Sequence, residues 1–120
     1  MRLKFPKREK LKSRKVIASL FSEGKSVSKF PVRLIYLPLE DLSLNKAAFS
    51  VPKRRFKLAV DRNRIKRLMR EAYRKHKGAL NSNKGGNFAL LFLYIGKGDG
   101  DFGEIEKAIA ALLKKLPGTN

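Results

Sequence analysis

The sequence predicts a mixed α/β fold, an α+β sandwich in which helices pack on one central sheet. Three observations lead there. Apolar residues recur at helical spacing across 58–77 and again across 105–116. Residues 32–37 alternate in the two-residue period of a strand, and residues 88–95 form an uncharged run bounded by glycines. The predicted order is α-β-β-α-β-α, and residues 24–30 leave room for one more short strand.

The first twelve residues have little periodicity and read as a basic N-terminal arm; residues 13–117 read as a single domain. Ser13 is a plausible N-cap, Val16, Ile17, Leu20 and Phe21 follow at helical spacing, and Gly24 is a natural stop, which gives a helix over about 13–23. From Pro31 to Leu37, Val32, Leu34 and Tyr36 alternate with Arg33, Ile35 and Leu37, and Pro38 is expected to end that strand. Residues 39–45 read as a turn, and Ala47–Val51 as the next strand, closed by Pro52. In the long helix over 58–77, Ile65, Leu68, Met69, Ala72, Tyr73 and His76 form one apolar stripe. Residues 78–87 read as a loop. Phe88–Ile95 has the length and composition of a strand buried on both faces. A glycine-rich turn over 96–100 leads to Asp101, a candidate cap for the last helix, which carries Ile105, Ala108, Ile109, Leu112, Leu113 and Leu116.

Charge narrows the function. The 120 residues carry 29 Lys and Arg against 10 Asp and Glu, a formal net charge of +19. Self-repulsion of that size opposes folding, so a polyanionic partner is the economical explanation, with nucleic acid first and anionic membrane second. The distribution is uneven: residues 1–15 net +7 and residues 53–77 net +10, which is 17 of the 19 charges. No run of 18 apolar residues occurs, so no membrane span is expected. The N-terminus is too charged for a secretory leader, and the absence of cysteine suits the cytoplasm.

At about 100° per residue, Arg62, Lys66, Arg70, Asn63, Arg74 and Arg67 share one arc of the central helix beside the apolar stripe. Arg64 lies on the far flank near Glu71 and Lys75. Glu71 can pair with Arg67 and Lys75 at i±4, which leaves most of these cations without an internal partner. A guanidinium fork matches phosphate oxygens, and asparagine can read a base edge or a ribose hydroxyl. The ten carboxylates are scattered, with no convincing acid–base pair, and the 96–101 segment lacks the ending of a phosphate-binding loop. His76 is read as a packing or helix-dipole residue, and Asp61 as favourable to the helix N-terminus.

Phe49-Ser50-Val51-Pro52-Lys53-Arg54-Arg55, followed by Ala59-Val60-Asp61-Arg62-Asn63-Arg64-Ile65-Lys66-Arg67-Leu68-Met69-Arg70-Glu71-Ala72-Tyr73-Arg74, resembles the signature of the ribonuclease P protein family. That signature is an Arg-Asn-Arg core on a basic helix, preceded by a strand that ends in a basic stretch. The resemblance implies a mixed sheet flanked by helices with a left-handed crossover. It implies a protein that joins a catalytic RNA and assists its magnesium-dependent removal of the 5′ leader from precursor transfer RNA, with the magnesium held mainly by the RNA. Carried onto this chain, Arg62, Asn63, Arg64, Lys66 and Arg67 become the RNA-facing set, with Lys53 and Arg54 as the basic pair before it. Arg55, Arg70 and Arg74 extend that surface. Phe21 and Ile17 on the first helix and Tyr36 on the following strand become the leader-binding cleft; a one-residue slip would put Ile35 there in place of Tyr36. Phe56-Lys57-Leu58 departs from the short glycine-containing turn common in that family. A structural ribosomal protein is the alternative that the charge allows.

Overall fold

A computed structural model describes residues 10–39, 45–78, 87–97 and 101–116. Seven elements follow in order: α1 (Arg14–Glu23), β1 (Lys25–Lys29), β2 (Val32–Leu39), β3 (Lys46–Ser50), α2 (Ala59–His76), β4 (Asn87–Tyr94) and α3 (Phe102–Lys114). The strands form one sheet in the order β1-β2-β4-β3. β2 runs antiparallel to β1 and β4, and β3 runs parallel to β4, so the sheet is mixed and α2 is the crossover between the parallel pair. Residues 24–30 do hold the extra strand, β1. The expected arm over 1–9, turn over 40–44, loop over 79–86 and turn over 98–100 lie outside the described residues.

The caps read from sequence form. The Ser13 side chain accepts from the Val16 N–H, and that of Asp101 from the Glu104 N–H, each satisfying an orphan donor of the first turn. α2 starts at Leu58 without a side-chain cap, and Asp61 in its first turn offsets this through the helix dipole. At the other end of α1, the Gly24 N–H donates to the Leu20 carbonyl at 2.9 Å. A Cβ on Gly24 would lie 2.9 Å from Ile35 Cγ2 and press on the Leu20 carbonyl oxygen. Gly24→Ala is therefore expected to cost about 1–3 kcal/mol by overpacking, read as a lower urea midpoint; an unchanged midpoint would show that α1 shifts freely on the sheet.

Strand register assigns every side chain to a face. Val32, Leu34, Tyr36, Phe88, Leu90, Phe92 and Tyr94 point toward α2 and α3 and form the larger core with Ile65, Met69, Tyr73 and Ile109. Ile35, Ala89 and Leu91 point the other way, toward Leu20 of α1. β4 is central, and its residues 88–92 are buried from both sides, as the uncharged run requires.

Three expectations need correction. Pro38 does not end β2; it pairs with Phe88 inside the strand. β1 covers β2 only from Val32 to Tyr36, so at Pro38 the outer edge of β2 is open and the missing N–H is not called on. Residues 10 and 11 are not part of a free arm: Leu11 is buried against α1, and its N–H donates to the Ala47 carbonyl at 2.9 Å, adding a short parallel bridge beside β3. Tyr36 is not in a cleft beside α1. It is buried on the α2/α3 face, edge-on to Phe88 at 5.8 Å between ring centres, and Ile35 takes the α1 side. Among the described residues no helix is long and apolar enough to cross a membrane.

Candidate nucleic-acid interface

α2 buries Ile65, Met69, Ala72 and Tyr73 against the sheet and α3, which turns its basic arc outward. Asn63, Arg67 and Arg70 are exposed, and Arg62, Arg64, Lys66 and Arg74 are half-buried along the flanks. Glu71 does not take the expected i±4 partners. It holds Arg74, one turn on, through a two-point contact in which Arg74 Nε donates to Oε2 at 3.2 Å and Nη2 donates to Oε1. The planar guanidinium fits a carboxylate in two places, and Lys75 is drawn instead toward α3. There its Nζ lies 3.9 Å from Glu106 and 5.1 Å from the centre of the Phe102 ring. His76 Nε2, 3.3 Å from the same Glu106, completes a polar tie between α2 and α3. The hydrogen bond from Arg74 holds the Glu71 carboxyl below the ordinary glutamate range, against the opposing pull of desolvation. A depressed carboxylate contributes stability above its ordinary pKa and loses it as pH falls. On so exposed a pair the contribution is small.

The segment before α2 is fastened at three points. Arg62 Nη1 donates to the Phe56 carbonyl at 2.7 Å and to the Lys57 carbonyl at 2.9 Å. The Phe56 ring is buried against Tyr94, with centroids 5.7 Å apart. Arg55 Nη1 donates to the Ile95 carbonyl at 2.9 Å. Lys53, Arg54, Arg55 and Lys57 are thus presented outward on a backbone whose ordering has already been achieved. Phe56, the residue that departs from a glycine-containing turn, is the apolar anchor of this arrangement. Arg62 is therefore a clasp for the basic loop as well as part of the basic helix. Arg62→Lys keeps the charge but loses the fork. A bond from a charged donor contributes roughly 1.5–3 kcal/mol, so amide exchange at residues 53–57 is expected to quicken by about tenfold or more. Unchanged exchange would show that the loop is held without Arg62.

The other side of the sheet has a different character. Phe21 on α1 is 63% exposed, so core packing does not explain it. Ile17 is half-buried against the α1-side cluster, where Leu37, Ala48 and Leu93 are also only partly covered. Arg33 shares that face and is exposed, with Nε 3.5 Å from Ser28 Oγ. Sequence reasoning missed Arg33, although a cation alternating with Ile35 and Leu37 marks the face that thins toward solvent. It also missed Val60, 70% exposed, which falls outside the apolar stripe of α2 and beside Arg64 and Arg67. Among the described residues no three His, Cys, Asp or Glu side chains come together as a metal cage.

Two basic surfaces, one alpha-helical and one a fastened loop, thus flank a core whose reverse side carries an exposed aromatic. Comparison with known proteins points to one family. The family model for ribonuclease P matches residues 5–117. The ribonuclease P protein component of Porphyromonas gingivalis strain W83 is 36% identical over 117 residues, covering 93% of this chain and 85% of the relative. That of Caldanaerobacter subterraneus subsp. tengcongensis is 37% identical over 109 residues, covering 90% and 89%. Among solved structures, the Staphylococcus aureus ribonuclease P protein superposes with a TM-score of 0.76 at 20% identity, covering 93% of this chain and 98% of that one. The Thermotoga maritima ribonuclease P protein superposes with a TM-score of 0.74 at 25% identity, covering 92% and 99%. The chain belongs to the ribonuclease P family, as the protein part of the ribonucleoprotein endoribonuclease that matures the 5′ end of transfer RNA.

Proposed function

We propose that this chain meets two RNA segments on two separate surfaces. The basic arc of α2, with exposed Asn63, Arg67 and Arg70 and half-buried Lys66, grips the catalytic RNA of ribonuclease P together with Lys53, Arg54 and Arg55. Arg64 and Arg74 border that contact. The α1 side of the sheet, with Phe21, Ile17 and Ile35, receives the single-stranded 5′ leader of precursor transfer RNA. The observation that carries this reading is the disposition of the surfaces: the basic helix and the exposed Phe21 stand on opposite faces of one sheet. A single phosphate-binding face would need only the first. We assign the magnesium ions and the hydrolysis to the RNA, as the resemblance to the family implies. The setting is the cytoplasm. A structural ribosomal protein is not favoured by the family match.

The test is reconstitution. The purified chain alone is expected not to cleave precursor transfer RNA, yet to restore cleavage by its cognate RNA at low magnesium; cleavage by the protein without RNA would overturn the assignment. The leader surface has its own test. A base stacked on an aromatic contributes roughly 1–3 kcal/mol, so Phe21→Ala is expected to weaken binding of precursor transfer RNA to the holoenzyme by about tenfold. Binding of mature transfer RNA, which has no leader, should not change. Equal losses for both substrates would reject leader contact.

A further inference from the structure

Strand pairing lines up two rows of side chains across the α1 side of the sheet. One row is Ser26, Ile35, Leu91 and Ala48; the next, toward the carboxyl ends of β3 and β4, is Ser28, Arg33, Leu93 and Ser50. Residues directly opposite one another share a face, so both rows look the same way. Leu20 of α1 closes the first row by packing with Ile35 and Leu91. The second row is more open: Arg33 is exposed, and Leu93 and Ser50 are half-buried. Arg33 is not there to balance a local charge, because among the described residues no carboxylate pairs with it. Its Nε lies 3.5 Å from Ser28 Oγ, a long contact that leaves the two terminal nitrogens of the guanidinium unengaged among the described residues.

We propose that Arg33 reads a guanine base of the 5′ leader and so sets a sequence preference at one leader position. The inference rests on the leader surface proposed above and deepens it, from holding a single strand to choosing among strands. α1 ends over the first row: a Cβ on Gly24 would lie 2.9 Å from Ile35 Cγ2. Phe21, 63% exposed, belongs to the same last turn of α1. Arg33 follows two residues away from Ile35 along β2, a step of about 7 Å on the same face. A base laid against Ile35 and Leu93 therefore brings one edge within reach of the guanidinium. Guanine offers O6 and N7 as adjacent acceptors that match the fork, whereas adenine puts an amino donor in place of O6. A phosphate would also match the fork. Yet a phosphate gains nothing from the apolar side chains of Ile35 and Leu93 beside Arg33, and the ring of a base does.

The test measures binding of precursor transfer RNAs to the reconstituted holoenzyme, with the leader bases changed one position at a time to G, A, C and U. At one position a leader with guanine is expected to bind about tenfold or more tighter than the same leader with adenine. Arg33→Lys keeps the charge and removes the fork, and should reduce that preference to about twofold or less. Binding of mature transfer RNA, which has no leader, is the control for folding and assembly. A loss of equal size for every leader base would mean that Arg33 grips a phosphate, and would overturn the proposal. A guanine preference that survives Arg33→Lys would do the same, as would no guanine preference at any position. Any of these results beside a leader-specific loss for Phe21→Ala rejects the role of Arg33 and leaves the leader surface standing. Equal losses for precursor and mature transfer RNA with Phe21→Ala reject the leader surface, and the role of Arg33 with it.

Discussion

Replacing Arg67 and Arg70 together with glutamate is expected to weaken assembly with the ribonuclease P RNA by about a hundredfold or more. Both side chains are exposed on the outer arc of α2 and point away from the buried Ile65, Met69 and Tyr73. Glutamate is a good helix former, so the helix itself should persist. Each substitution removes a cation from the phosphate surface and puts an anion in its place. The energetic change at each site is thus about twice that of neutralisation. The salt dependence gives a second reading: losing two phosphate contacts should reduce the slope of log affinity against log salt by about 1.4–1.8. Circular dichroism at the same ionic strength verifies folding. A doubly reversed variant that assembles with unchanged affinity and slope would show that the RNA subunit lies elsewhere.

The second large effect concerns stability. Phe92→Ala is expected to destabilise the protein by about 3–5 kcal/mol. Phe92 is fully buried at the middle of the central strand, stacked on Phe49 at 5.3 Å between centroids and tilted against Tyr73 at 5.5 Å. It therefore joins β3, β4 and α2, and neighbours held by three elements cannot all collapse into the space it leaves. A domain of this kind has roughly 5–15 kcal/mol in total, and here a net charge of +19 works against compaction. Urea unfolding must be compared at one ionic strength, because salt screens that repulsion. A loss below about 1 kcal/mol would mean that the three elements are not coupled through this ring.

The two effects are separable because they sit on opposite faces of α2. Its buried stripe governs stability and its basic arc governs assembly, so Phe92→Ala should lower stability without changing the salt slope of the folded fraction. Arg67→Glu with Arg70→Glu should do the reverse.

The legible parts of this protein were those written in local patterns. The α2 stripe from Ile65 to His76, the uncharged β4 run and the caps at Ser13 and Asp101 each depend on neighbours within a turn or two of chain. Period and side-chain chemistry reveal these without knowledge of the rest. The concentration of charge at 53–77, and with it the polyanionic partner, is likewise a property of the chain alone. Only the tertiary structure decided which face of each strand meets which helix. Alternation in β2 separated Tyr36 from Ile35, but only the placement of α1 on one side and α2 with α3 on the other sent Tyr36 into the larger core. The same holds for Pro38, tolerated because β1 stops short of it, and for Leu11, buried because Ala47 offers it a partner. It holds above all for Arg62, whose guanidinium reaches back to two carbonyls of the loop before it. A periodic pattern is set by bonds between near neighbours; a side chain's partner across the sheet is set by how distant segments close together, and no short window of sequence contains that closure.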